Sequence, residues 1–199
     1  MPKYSVSVVE PSQLPAVHQF HQRMVAAGSG HVAARSFQQF ADLVDERSLF
    51  AVWEDDCDVV ACCYVLREGQ TLEFGGLLVD TGRRGNGIGS GMTAFALAAG
   101  MAEHDPFTAG LRVIAHVHGQ NTLPRSLLSR VGFVHTGSHS FQPHQVPLGL
   151  MTNAAGLVPA DEFDLPGTDK LRLEFEKLRN SSLLVTHPVL TLDELASLL

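Results

Sequence analysis

Several things are scarce in this 199-residue chain, and each scarcity excludes something. No apolar run is long enough to span a membrane: the longest, MTAFALAAGMA at 92–102, is about half of the roughly 20 residues a helical span requires. The opening residues, MPKYSVSVVE, lack the basic start and apolar core of a signal peptide, so a cytoplasmic protein with no membrane partner is expected. Basic residues are few: 14 Lys and Arg stand against 21 Asp and Glu, a formal net charge of −7. That sign disfavours nucleic acid, which is bound by replacing phosphate counterions with Lys and Arg, and it favours a cationic partner or substrate. Only three cysteines occur, Cys57, Cys62 and Cys63. They cannot all pair with one another, and adjacent positions in a strand face opposite ways, so they read as reduced core residues. There are two tyrosines, Tyr4 and Tyr64, and no lysine between Lys3 and Lys170. There is no internal repeat or low-complexity tract. The rest of the composition, 45% hydrophobic and 18% charged, is that of a globular chain long enough to bury one core as one domain over 1–199.

Patterning predicts a strand over 4–10, a helix over 13–27 broken at Gly28, and a helix over 36–46 that opens at Ser36 with Phe37, Phe40, Ala41 and Val44 as its core stripe. Strands over 48–53 and 59–66 are joined by the acidic turn Glu54-Asp55-Asp56 as a hairpin. A strand over 72–79 is interrupted at Gly75-Gly76, which predicts a bulge or the close approach of another backbone. A helix from about 89 to 103, a strand over 112–118, a helix over 122–131 and a strand over 133–139 follow. Residues 140–168 carry four prolines and no sustained period, and are expected as a long loop or lid. Lys170 to Glu176, KLRLEFE, alternates and is expected as a last strand, and Leu192, Leu195 and Leu199 mark a docking helix in the tail.

The segment VDTGRRGNGIGSGM at 79–92 puts glycine-rich backbone between a strand and a helix. Such a turn presents unpaired N–H groups and the positive end of a helix dipole to one point, which is a phosphate site. A triphosphate loop needs Gly-Lys-Ser/Thr, and no lysine is present. A dinucleotide loop needs G-x-G-x-x-G. Counting from Gly85 the third glycine is replaced by Ser90, and counting from Gly87 by Met92, so that spacing fails as well.

Arg84-Gly85-Asn86-Gly87-Ile88-Gly89 instead resembles the R/Q-x-x-G-x-G/A pyrophosphate loop of the GNAT acyl-CoA N-acyltransferase superfamily. The order of elements around it, from residue 4 to the "RVGF" ending at Phe133 and on to 139, is similar to that family's. The resemblance implies an α/β (α+β) fold whose central mixed, mostly antiparallel sheet is flanked by helices and splayed at the acyl-CoA cleft. It implies acetyl-CoA as co-substrate, with the backbone of Leu77, Leu78 and Val79 along the cofactor arm. The pyrophosphate would rest on Arg84, Gly85, Asn86, Gly87, Ile88, Gly89 and Ser90, with Asn121 contacting the arm. No metal is expected, although His116-x-His118, His135, His139 and His144 cluster in the sequence. Family members often dimerise through C-terminal strands, so KLRLEFE and the tail are a candidate homodimer surface.

Acylating an amine requires a proton acceptor and, for the leaving thiolate, a donor. Glu73 and His116 occupy positions where family members place a base, and they are the candidate catalytic pair. A solvated strand residue and a hydrogen-bonded structural histidine are the ordinary alternatives for them. The family's acidic tyrosine is replaced by Leu128, so the donor is another group such as Ser129, a histidine or water, or the thiolate leaves unassisted, or the chain is an acyl-CoA-binding sensor that transfers nothing. The expected acceptor is a cationic small molecule, aminoglycoside- or polyamine-like, or a peptide or protein amine. Phe141, Met151, Asp161, Glu162 and Asp164 are its candidate wall, with a surface loop as the alternative for that segment.

Overall fold

The computed structural model describes residues 3–28, 32–103, 110–118, 121, 123–143, 152–181, 184–186, 190–197 and 199. In chain order the elements are β1 (Tyr4–Val8), α1 (Leu14–Ala26), α2 (Phe37–Asp45), β2 (Leu49–Glu54), β3 (Asp58–Glu68), β4 (Thr71–Val79), α3 (Ile88–Glu103), β5 (Arg112–His118), α4 (Leu123–Val131), β6 (Val134–Phe141), β7 (Val158–Asp164), α5 (Asp169–Arg179), β8 (Leu184–Thr186) and α6 (Leu192–Ser197). The strands form one mixed sheet in the order β6-β7-β5-β4-β3-β2-β1-β8. Among the described residues only β4–β5 and β1–β8 are parallel. No helix among the described residues is long and apolar enough to cross a membrane.

Two apolar clusters pack on opposite faces of the sheet. Helices α1 and α2 cover one face through Leu14, Val17, Phe20, Met24, Phe40, Leu43 and Val44, and α3, α4, α5 and α6 cover the other. Helix α3 touches strands on one side and α4, α5 and α6 on the other, which is why its sequence is apolar all round rather than in a stripe. Helix α2 opens on a capping box in which Ser36 accepts from the Gln39 N–H and Gln39 accepts from the Ser36 N–H. The β2–β3 hairpin turns through Asp55 and Asp56, both at positive φ, 50° and 60°. Cys62 and Cys63 face opposite clusters, and burial pushes the Cys62 thiol up to about 12. Cys57 is exposed in the hairpin turn and is not a core residue as expected.

Three further expectations are corrected. KLRLEFE is the helix α5, not a strand: Leu171, Glu174, Phe175 and Leu178 recur at helical spacing and are buried, with Asp169 in the first turn and Lys177 and Arg179 in the last. Its apolar face packs inward on α3, and as a helix it presents no strand edge for pairing. The expected loop 140–168 contains the strand β7, whose VPADEFD lacks apolar alternation; its pairing with β5 and β6 makes it a strand. Residues 144–151 of that stretch, Met151 and His144 included, lie outside the described residues. In α2, Phe37 is exposed and Leu43 takes its place in the core.

The expected bulge lies between β3 and β4. Cys62 pairs with Leu78 but Tyr64 pairs with Gly75, so β4 carries one extra residue there. The insertion reverses the phase of β4: Leu72 and Phe74 face the α3 side, whereas beyond the bulge Leu78 faces the α1–α2 side. Both glycines are required. Gly76 has φ +63°, and a Cβ on either would strike the Tyr64 ring, at 2.8 Å from Cε2 in the case of Gly75. The close neighbour is thus a side chain, not the second backbone that the glycine pair suggested.

The α1–α2 connection is held from below by His21. It is buried, accepts from the Arg35 N–H at 3.3 Å and bonds the backbone of Ala33. Gln22 adds a bond to the Arg35 carbonyl at 2.9 Å. Burial first, and then the His18 charge, lower the His21 pKa from 6.5 to about 4.

Gly76→Ala is expected to lower the unfolding free energy by about 2–4 kcal/mol, combining positive-φ strain with the clash on Tyr64. Adding Tyr64→Ala should recover the clash part, which urea unfolding of the two single variants and the double variant measures. For His21 the native state stays neutral where the unfolded chain takes up a proton, so stability falls as pH drops from 6.5 towards 4, by about 3 kcal/mol in total. His21→Gln should be less stable at pH 7 yet show a shallower loss over that window.

Candidate functional site

Strands β4 and β5 pair only from Thr71 to Phe74 against Arg112 to Ala115. Beyond that point β5 continues with only its other edge paired, to β7, and β4 from Gly75 to Val79 keeps β3 as its partner but has none on the β5 side among the described residues. The parting opens a cleft of about 460 Å³ lined by β4, β5, the α1–α2 connection and α4. A second recess of about 330 Å³ continues from it past Leu77, Asn121, Pro124 and Leu127 to the glycine loop. Buried Asn121 and half-buried Leu77 therefore stand at the neck between the two.

The loop begins in a 3-10 turn at Thr81–Arg83, where the Asp80 carboxylate accepts from the Gly82 N–H. Gly85 and Gly87 sit at φ +85° and +78°, and a Cβ on either would meet nothing within 4 Å. Glycine is needed there for backbone conformation, and the space in front of the loop is open. Gly89 is different: a Cβ would come within 2.9 Å of Leu127, so it sets the approach of α3 to α4. Helix α3 starts at Ile88 and aims its first N–H groups at the recess. Ser90 is buried and its hydroxyl donates to the Gly87 carbonyl, bracing the loop. Arg84 bonds the Val79 carbonyl at 3.2 Å, and Arg83 is drawn away to Glu54 at 2.7 Å. Arg130 of α4 also lines the recess, with Leu123, Ser126 and Leu127 at helical spacing on the same face.

At the cleft's mouth the structure brings Glu73 and His116 together, with His116 Nδ1 at 2.9 Å from Glu73 Oε1. The other ring nitrogen lies 3.3 Å from Glu162 Oε2, and Arg112 donates to Glu162 at 2.6 Å and to Asp164 at 2.7 Å. The result is a ladder of alternating sign across three strands: Asp164, Arg112, Glu162, His116, Glu73. Burial, the largest single influence, opposes the charge on His116. The hydrogen bonds and charges of Glu73 and Glu162 together outweigh it, and the His116 pKa is raised above 6.5. Glu162 is held low, chiefly by Arg112, and His139, stacked 4.3 Å from His116, is lowered by burial and by the His116 charge. His116, His139 and Glu162 present atoms within 4.8 Å of one another, as a metal site would. His116 and Glu162 already satisfy each other, and Arg112 supplies the positive charge beside the carboxylate.

Of the expected acceptor wall, Phe141 lines the cleft and Glu162 reaches it through His116, whereas Asp161 pairs with Arg125 and Asp164 with Arg112. Leu128 is buried in the core and lines the cleft with an apolar surface, and Ser129 faces outward. Tyr64 and His118 are further cleft-lining side chains that carry protons. Burial raises the Tyr64 pKa, opposed by Arg35, so its hydroxyl is protonated at neutrality. Sequence reasoning missed Arg130, Tyr64 and Arg35. The helical spacing of 123, 126, 127 and 130 was a usable signal for Arg130, while nothing local marked the other two.

A family model described as "Acetyltransferase (GNAT) family" matches residues 14–133, more than half of the chain. None of the curated proteins matches the sequence. Among solved structures, the chain is similar to a ribosomal-protein-S18-alanine N-acetyltransferase from Escherichia coli, with TM-score 0.58 and 18% identity over 82% of this chain and 93% of that one. It is likewise similar to a ribosomal-protein-S5-alanine acetyltransferase from Vibrio fischeri, with TM-score 0.62 and 15% identity over 82% and 93%. A spermidine N-acetyltransferase chimera from Vibrio cholerae aligns with TM-score 0.55 and 14% identity over 82% and 95%. At these identities the likeness is one of fold.

The charge ladder makes a pH prediction. With its pKa raised in the folded state, His116 contributes stability that is fully present below 6.5 and is lost as pH rises through the folded value. Glu162→Gln should move the His116 titration downward, because burial then meets less opposition, and NMR titration of the ring follows the shift directly.

Proposed function

The chain belongs to the GNAT acetyltransferase family, whose members use acetyl-CoA, and from that premise we propose that it transfers an acetyl group to a primary amine by direct attack in a ternary complex. The observation that carries this reading is the Glu73–His116 pair at 2.9 Å, set beside the unpaired edge of β4 at the mouth of the cleft.

Acetyl-CoA supplies the acyl group activated as a thioester. The chain's own groups fit it: the free edge of Leu77, Leu78 and Val79 suits the amide-bearing arm, and Asn121 stands at the neck. The N–H groups of residues 84–90, with Arg84 and Arg130 alongside, suit the pyrophosphate. Backbone N–H groups of β4 beyond the bulge offset negative charge developing on the reacting carbonyl oxygen. The amine's lone pair forms the new C–N bond, its proton passes to Glu73 directly or through water, and the C–S bond breaks with its electrons on sulfur. Glu73 is the proton acceptor because its second oxygen has no partner among the described residues. His116, bound at both nitrogens, positions it. Leu128 offers no proton to the sulfur, so Tyr64, His118 or water returns it. The acidic chain steers ammonium-bearing acceptors, whether small molecules or peptide amines.

Calorimetric titration should show acetyl-CoA binding that Gly87→Glu abolishes, since a carboxylate at φ +78° would strain the loop and repel the pyrophosphate. Glu73→Gln should leave that binding intact and cut kcat by about 10²–10⁴-fold, measured as CoA release. Acetyl-CoA binding without CoA release across a broad amine panel would make the chain a sensor instead.

A further inference from the structure

The acceptor end of the cleft holds a charge that amine binding does not explain. Arg35, in the α1–α2 connection, lays its guanidinium over the Tyr64 ring with Cζ 4.2 Å from the centroid, and that ring also rests against Gly75 and Gly76. Arg35 is half-buried and is the one Lys or Arg among the described residues lining this cleft. Its backbone is pinned on both sides, by His21 at the N–H and by Gln22 at the carbonyl, so the side chain projects from a fixed point. Arg83, Arg112, Arg125 and Arg179 each meet a carboxylate within 4.0 Å. Arg35 meets none among the described residues; its side chain is engaged by Tyr64, through the ring and a hydrogen bond to the side chain. Gln39 and Leu66, which line the same cleft, are neutral, and Glu73, opposite Leu66 in the strand register, forms its hydrogen bond with His116 instead.

A planar guanidinium, held still and partly desolvated, is built to grip a carboxylate through paired hydrogen bonds. The cleft then carries a cation at Arg35 and, on the neighbouring strand, the carboxylate of Glu73, which attracts an ammonium. We propose that Arg35 binds a carboxylate of the acceptor, so that the molecule acetylated is an amino acid or a similar amino carboxylate and not a polycation. Tyr64 is the platform that fixes the guanidinium. The acidic exterior and this inner cation are compatible, because an amino carboxylate carries both charges. The inference rests on the acetyltransferase reading above and specifies its acceptor.

The test pairs the twenty common L-amino acids with their α-carboxamides, and adds spermidine, in a CoA-release assay with acetyl-CoA. The expected result is that the preferred amino acid exceeds its own amide, and spermidine, by about 10–100-fold in kcat/KM, the size of one charge-assisted pair. Arg35→Gln should erase that acid-over-amide ratio by raising KM for the acid, Arg35→Lys should restore part of it, and calorimetry should show acetyl-CoA binding retained in both. Turnover of amides or spermidine as efficient as that of acids overturns the proposal while leaving the acetyltransferase reading intact, as does a ratio unchanged in Arg35→Gln. Acetyl-CoA binding with no turnover of any amine overturns both. The wild-type ratio decides the matter even if the variants fold poorly.

Discussion

The site depends on one steric constraint, the seating of the Tyr64 ring on two glycines of the neighbouring strand. Because no Cβ fits beneath that ring, β4 takes an extra residue at Gly75-Gly76 and turns through positive φ. The insertion reverses the side-chain phase of β4, whose second half stays on β3 but no longer pairs with β5. A gap results in the middle of an otherwise continuous sheet, with one strand's backbone polar groups left facing it. An unpaired edge buried inside a domain is costly unless something bonds it, and here the edge borders the cleft. The same ring also supports Arg35, so one residue shapes both the opening and its acceptor end.

Electrostatics then set what the opening can do. Side chains on the uncovered face of β5, β7 and β4 alternate in sign from Asp164 to Glu73, each neutralised by the next. Such a chain fixes the orientation of Glu73 without a dedicated helix to hold it. It also raises the His116 pKa in a position where burial alone would lower it. The glycine loop works through fixed backbone dipoles and nearby arginines, so the donor end and the acceptor end use different physics within one continuous cavity.

Much of the framework was legible because it follows from local chemistry. The helix start at Ser36, the Asp55-Asp56 turn, the glycine pair and the Arg84-to-Gly89 loop each act within a few residues, and each was read from the chain. Failures came where a pattern fitted two periods or none. KLRLEFE satisfies alternation over seven residues, and only the extension to Leu178 favours the helix. VPADEFD has no apolar rhythm, since one of its faces carries the charge ladder and is not core.

Taken alone, the sequence determined the loop that suits a pyrophosphate, the exclusion of triphosphate and dinucleotide sites, and the two residues Glu73 and His116 as candidates. Spacing along the chain and backbone conformation are local properties, and composition records them. The tertiary structure decided that Glu73 and His116 touch, that Glu162 and Arg112 complete their ladder, and that Arg35 stands over Tyr64 with no carboxylate to meet it among the described residues. The ladder's contacts join residues dozens of positions apart through the register of β4, β5 and β7, and the Arg35 contact through the packing of the α1–α2 connection on β3. A register is a property of paired strands, and no single strand's sequence contains it.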